Sequence, residues 1–224
     1  MTYRIVAVYL VLIFSWQSAA SQTKKKDPDR LYQRPKYIVK AAASSLMDVA
    51  NPAVQVSLEQ FFTTKNSLQY EIGGIWARYP YDAAGYGFTL RSEYRHYFKP
   101  IAAGDTDNYY HALQGTWRQV LTNRYDWVDR YDGAFSQNIQ YNNRRNIAIL
   151  TYNMGGLWYI TPNLIFEVGV GLGIRYIQIR NVGLPEDAVF RDDQLFGIPG
   201  SQPQEEGNYI KPAGSFVLKF GRTF

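Results

Sequence analysis

The sequence predicts an all-β chain: an eight-stranded, antiparallel, up-and-down β-barrel that crosses a membrane and carries two long extracellular loops. Three observations predict it. The first is period-2 alternation, which places successive side chains on opposite faces of a strand. From Leu164, one parity holds Leu164, Phe166, Val168, Val170, Leu172, Ile174 and Tyr176, and the other holds Ile165, Glu167, Gly169, Gly171, Gly173, Arg175 and Ile177. The second is what each face carries. Strand glycines pack nothing and cost entropy on a water-exposed face, but inside a narrow barrel they make room for long charged neighbours, so the apolar parity is the one that meets lipid. The third is the aromatic content, with 19 Tyr, 12 Phe and 5 Trp, which suits strands flanked by interfacial aromatic belts.

The first 21 residues read as a cleavable export signal. Arg4 supplies the positive end, Ile5 to Trp16 the apolar core and Ser18-Ala19-Ala20-Ser21 the small-residue exit. The apolar run is short of the ~20 residues that a membrane-spanning helix needs. Residues 22–35, with Lys24, Lys25, Lys26, Arg30 and Arg34, read as a flexible periplasmic extension, and residues 36–224 as the barrel. The absence of cysteine removes disulfides and thiolate metal sites. The net charge of +5 comes from scattered residues without a nucleic-acid motif, so no nucleic-acid partner is expected.

Along the barrel, Tyr37 to Leu46 is a first, weaker strand, broken by Asn51-Pro52. Val54, Val56 and Leu58 alternate with Gln55, Ser57 and Glu59 in a second strand ending near Phe62. After Lys65-Asn66, the third strand sets Leu68, Tyr70, Ile72, Gly74 and Trp76 against Gln69, Glu71 and Gly73. The fourth, Tyr86 to Phe98, sets Phe88, Leu90, Tyr94 and Phe98 against Arg91, Glu93, Arg95 and Tyr97. An outward Arg costs ~2–4 kcal/mol near the bilayer midplane, so Arg91 and Arg95 face inward. The fifth strand, Tyr109 to Leu121, repeats the rule with Arg118 inward. The sixth, Ile147 to Ile160, and the seventh form a hairpin closed by Thr161-Pro162-Asn163, and the eighth runs from Lys211 to Phe224. The long segments Thr122 to Arg145 and Asn181 to Asn208 follow strands five and seven, as outer loops do when both termini are periplasmic.

The inward ionisable set is Lys40, Glu59, Glu71, Arg91, Glu93, Arg95, Arg118, Glu167, Arg175 and Lys219. Eight strands leave an interior just wide enough for side chains to fill, and unpaired buried charges are very costly. These residues are therefore expected to pair as a structural plug. A gated, narrow ion path is the alternative. In the first long loop, Tyr125, Trp127, Tyr131, Phe135 and Tyr141 stand among Arg and Asn, the residue types of binding hot spots. They are the candidate contacts for a surface protein or glycan. That loop is expected to be ordered by extending its strands, and the Pro- and acid-containing second loop to be the more mobile.

Three stretches resemble the small eight-stranded outer-membrane barrels of the outer membrane protein A and X type, and more closely the barrels common in Bacteroidetes. They are Asn51-Pro52-Ala53-Val54-Gln55-Val56-Ser57-Leu58-Glu59, Leu90-Arg91-Ser92-Glu93-Tyr94-Arg95-His96-Tyr97-Phe98 and Phe166-Glu167-Val168-Gly169-Val170-Gly171-Leu172-Gly173. The resemblance implies the outer membrane of a Gram-negative bacterium as location and outer-membrane lipid as partner. Phe220 and the terminal Phe224 resemble the signal read by the barrel assembly machinery, from which Arg222 departs. No ligand or catalytic residue comes with the resemblance.

Other chemistry is weakly signalled. His96 and His111 share an outward face with Ser92, and pairing Phe98 with Tyr109 sets the two histidines opposite each other. A third metal ligand is not evident, and no Ser, His and acid converge for an outer-leaflet enzyme. Asp126, Asp129 and Asp132 are too sparse for a calcium loop. The expectation is no enzyme, no cofactor and no metal. A soluble lipocalin-like carrier, which would carry its apolar face inside, is a further alternative, as is an outer-leaflet lipid-modifying enzyme.

Overall fold

The computed structural model describes residues 35–43, 53–78, 84–101, 108–190 and 206–224, all within the compact unit Arg34–Phe224. The expected export signal and basic extension lie outside the described residues, as do residues 44–46 of the expected first strand.

Among the described residues nine strands follow one another: β1 Tyr37–Ala42, β2 Ala53–Phe61, β3 Asn66–Arg78, β4 Ala84–Tyr97, β5 Asn108–Arg130, β6 Phe135–Thr161, β7 Leu164–Val182, β8 Val189–Phe190 and β9 Gly207–Thr223. Every described pairing is antiparallel, from β1–β2 round to β7–β9. The pairing β1–β9 joins the two ends of the chain, so eight strands close into a ring, and the two-residue β8 adds to β5 alone. Closure removes the unpaired edges that an open sheet would present.

Short connections fix the register at one end of the ring, the turn end. Thr63 Oγ1 accepts from the Lys65 and Asn66 N–H groups at 3.2 and 2.9 Å, which tightens the β2–β3 turn. At Thr161-Pro162-Asn163, Thr161 Oγ1 accepts from Leu164 N–H at 3.1 Å. At the opposite, loop end the first long loop is ordered by extension of its strands, as expected. The segment expected as a loop from Thr122 to Arg145 is almost wholly β. β5 and β6 stay paired from Asn108↔Leu157 to Arg130↔Phe135, and past the Gly85↔Thr122 and Asn142↔Val182 pairs that tie them to β4 and β7 they continue as a two-stranded ribbon. Its tip turns at Tyr131, Asp132 and Gly133, with φ of 48°, 55° and 89°. Asn and Asp tolerate this left-handed region and Gly adopts it freely, whereas Tyr131 enters it against its own preference.

Parity assigns the faces as expected. Outward residues are exposed: Ile72 64%, Leu113 54%, Val170 60% and Leu172 78%. Inward ones are buried even when charged, with Lys40, Glu59, Arg95, Glu167 and Lys219 at 0–1%. The turn end of the lumen is sealed by Ile38, Phe61, Tyr97, Ile101, Leu157 and Ile165 among others. Each large aliphatic or aromatic side chain buried there contributes roughly 1.5–3 kcal/mol. Gly155 of β6 and Gly169 of β7 make room for an aromatic ring rather than for the long charged neighbours that the sequence suggested for the β7 glycines. A Cβ on Gly155 would stand 2.6 Å from the Tyr110 hydroxyl, and one on Gly169 3.2 Å from it. A side chain at Gly155 would displace the Tyr110 ring, and one at Gly169 would crowd it.

Candidate functional site

Closure of the ring carries the inward ionisable residues of β1, β2, β4 and β7 to one level. Lys40 bridges Glu59 and Glu167. The Arg95 guanidinium reaches three carboxylates. It meets Glu167 through Nη2 at 2.7 Å and Nη1 at 3.0 Å, Glu93 through Nε and Nη2 at 3.1 Å each, and Glu59 through Nη1 at 3.3 Å. Its flat face lies 4.3 Å from the Tyr110 ring centroid, a cation–π contact. Hydroxyls complete the carboxylate shells. Tyr97 donates to Glu59 at 2.7 Å, Tyr110 to Glu167 at 2.9 Å, and Ser67 to Glu59. Gln69 donates to Glu93 at 3.3 Å.

A second knot sits beside the first. Glu71 lies 2.8 Å from Arg91 Nη1 and 2.5 Å from Lys219 Nζ, as ion pairs outside hydrogen-bonding angles. Lys219 is also the direct cross-strand partner of Glu167, which couples the two knots. Together, four cations (Lys40, Arg91, Arg95, Lys219) face four carboxylates (Glu59, Glu71, Glu93, Glu167). Buried charges are tolerable when paired and hydrogen-bonded in this way, so the turn half of the lumen is a neutral plug. Eight of the ten residues of the expected lumen network are in it. Arg118 and Arg175 face the lumen nearer the loop end and are partly exposed.

Sequence reasoning put Gln69 and Tyr97 on the inward parity but gave the neutral members Ser67, Gln69, Tyr97 and Tyr110 no part in the network. The available signal was their parity: each alternates in phase with the inward charges, but a hydroxyl in that phase draws less attention than a charge. It also missed Arg124, Arg145 and Lys211, which share the inward phase nearer the loop end.

On the outer face, His96 and His111 are cross-strand partners, with ring centroids 5.3 Å apart. His96 Nδ1 is 2.7 Å from Asn66 Oδ1, and His111 packs against Phe98 and Tyr152 at 5.5 and 5.8 Å. Both histidines are thus part of an aromatic belt. Ser92 is exposed between Tyr70 and Gly115, its partners across the sheet. Among the described residues no group of three His, Asp or Glu is placed to hold a metal ion. Asp126 accepts from Tyr141 at 2.5 Å and Asp129 from Ser136 at 2.5 Å, so these acids are held apart by separate partners. Phe220 stacks on Phe166 at 5.1 Å, and Phe224 closes the chain at the turn end, its N–H bonded to the Tyr37 carbonyl at 3.0 Å.

No family model matches the chain, and no curated protein or solved structure matches it.

The ribbon holds the candidate surface residues. Tyr125, Trp127, Tyr131 and Phe135 are 49%, 56%, 64% and 48% exposed. Tyr141 is not among them. It is 2% exposed, and its hydroxyl donates to Asp126. Burial first, and then the Asp126 carboxylate, push its phenol well above its ordinary value. Tyr131 and Phe135 pack at 5.9 Å across the tip. The segment after β7 braces this tip. Asp187 accepts from Arg130 Nε at 2.8 Å and from the Tyr131 N–H at 3.3 Å, and β8 pairs with Val128 and Asp129. The Arg130 hydrogen bond holds the Asp187 carboxyl below its ordinary value. Residues 183–190 of the second loop therefore dock on the ribbon, 181–182 and 207–208 belong to β7 and β9, and residues 191–205 lie outside the described residues.

Proposed function

We propose that this chain is an outer-membrane β-barrel whose lumen is a structural plug and whose work is done by the β5–β6 ribbon, which presents aromatic side chains to a surface protein or glycan. One observation carries the location: the outer face of the ring is an apolar belt, while the interior is a charge network. Water-soluble proteins rarely expose contiguous apolar patches beyond a few hundred Å², and a soluble carrier barrel would hold its apolar residues inside. Outward Val56, Ile72, Leu90, Leu113, Leu150, Val170, Leu172 and Phe216 are each 40–78% exposed, and lipid is the solvent that suits them. The terminal Phe224 fits recognition by the barrel assembly machinery.

The ribbon reading rests on stiffness. A solvent-exposed aromatic contributes most to binding when little conformational entropy is lost on contact. Here Trp127 and Tyr125 stand on paired strands, and Tyr131 is fixed by Asp187. Membrane fractionation with protease digestion of intact cells tests both parts. The protein is expected in the outer-membrane fraction, with cleavage confined to the ribbon and second loop. Deleting Asp126 to Asn142 should leave a barrel that folds and shifts on unheated gels, and should abolish surface binding. Recovery in the soluble fraction would refute the location, and a deletion variant that cannot fold would refute the division of labour.

A further inference from the structure

The plug is neutral, but the lumen above it is not. Arg175 on β7 and Lys211 on β9 are direct cross-strand partners on the inward parity. Like charges placed opposite each other on one sheet face repel, and a sheet under no other constraint would separate them. Neither has an ion-pair or hydrogen-bond partner among the described residues, and the Arg175 Nε is buried without one. The inward carboxylates nearby are committed elsewhere: Glu71 to Arg91 and Lys219, Asp126 to Tyr141. At the rim, Glu206 accepts from the Asn181 N–H instead.

The pair is also reachable. Arg175, Lys211 and Tyr209 are partly exposed, whereas Glu167 and Lys219 below them are at 0%. The floor of this space is therefore the plug, and its opening is toward the loop end. Its wall on β6 and β7 is apolar, with Ile147, Ile177 and Ile179 packed together. Low-dielectric walls around fixed cations focus their field and raise the local concentration of anions. Arg118 adds positive charge from β5.

We propose that the loop half of the lumen binds a tetrahedral divalent oxyanion, phosphate or sulfate, between Arg175 and Lys211. Two charges on the anion match the two on the pair. The planar guanidinium offers two parallel N–H donors to one oxyanion edge, and the ammonium offers a point charge beside it. Because the pair faces the lumen and not lipid, the source is a soluble anion or the phosphorylated or sulfated end of a soluble ligand. The inference goes beyond the ribbon reading and holds for this barrel in any location.

The test uses the full mature chain folded in a zwitterionic detergent, titrated with inorganic phosphate and with sulfate at ionic strength fixed by sodium chloride. Calorimetry should show saturable binding with one site per chain, and the anion should raise the melting temperature. Arg175→Gln and Lys211→Gln should each weaken binding at least tenfold. Arg175→Lys, which keeps the charge and loses the fork, should weaken it less. Arg180→Gln, on the exposed outward parity, should bind as the wild type does. In anion-free buffer both glutamine variants should melt no lower than the wild type, since each removes a repulsion. Absence of saturable binding, equal loss in Arg180→Gln, or a lower anion-free melting temperature in the glutamine variants would overturn the proposal. So would binding that appears only after Asp192, Asp193 and Glu205 are neutralised, because the chain's own acidic segment would then be the occupant.

Discussion

Glu167→Ala is the most informative single change in the plug. Glu167 is fully buried and accepts from Arg95 through both terminal nitrogens, at 2.7 and 3.0 Å, from Tyr110 at 2.9 Å, and from Lys40. Its removal leaves four cations facing three carboxylates in a region closed to water. Removing one partner of a buried pair costs about 3–5 kcal/mol. Here the lower end applies, about 3 kcal/mol, because Arg95 keeps Glu93 and Glu59 and Lys40 keeps Glu59. That is roughly a hundredfold in the folding equilibrium, at about 1.4 kcal/mol per decade. Glu167→Gln keeps the shape and an acceptor oxygen and should cost less, about 1.5–3 kcal/mol, the worth of hydrogen bonds to a charged group. Urea titration of the protein folded into lipid vesicles, followed by tryptophan fluorescence, measures both. A cycle with Lys40→Met then isolates the coupling, expected at about 0.5–3 kcal/mol in the direction of rescue. A loss under about 1 kcal/mol for Glu167→Ala, with no rescue, would mean that the plug is hydrated and that the pairing argument fails.

Three further outcomes follow from the same geometry. Spin labels at Val170 and Leu172 should relax with lipid-soluble oxygen and one at Arg118 with a water-soluble nickel complex, and protection of the apolar positions from oxygen would sink the lipid-facing assignment. Purified protein in planar bilayers should show no large, long-lived openings, because the plug and the apolar seal beneath it fill the turn half of the lumen; reproducible steady conductance would favour a channel. The brace at the ribbon tip should be acid-sensitive. Asp187 has its folded value held below the ordinary 3.8, so its contribution is present above pH ~4 and is lost as pH falls through the lower folded value. Protection of the Tyr131 amide from exchange, relative to a free amide at the same pH, should therefore fall below pH ~4 and be flat from pH 5 to 8, and Asp187→Asn should remove the dependence.

Which residues face in and which face out was legible from the chain alone. Alternation is a local property, fixed by the pleat, and one forbidden outward Arg settles the parity of a whole strand. The same reasoning placed Gly169 and Gly171 inside and set His96 opposite His111. The lumen charges were legible as a set for that reason, and Arg118 and Arg175 share their inward phase while standing nearer the loop end. Their pairing was not legible. Lys40 and Glu167 are separated by most of the chain, and no local feature says that they meet.

What the sequence by itself determined is therefore the alternation, the strand count and the sign of each face, because these depend on neighbours one or two residues apart. What only the tertiary structure decided is the closure and its register. β1–β9 pairing brings Lys40 to Glu167, β7–β9 pairing sets Arg175 against Lys211, and the β5–β6 pairing carries nearly the whole first long segment into a ribbon that hides Tyr141 and shows Trp127. Register around a ring is a collective property of all eight strands, since a slip of one residue in any pair would turn that strand's charges onto the outer face.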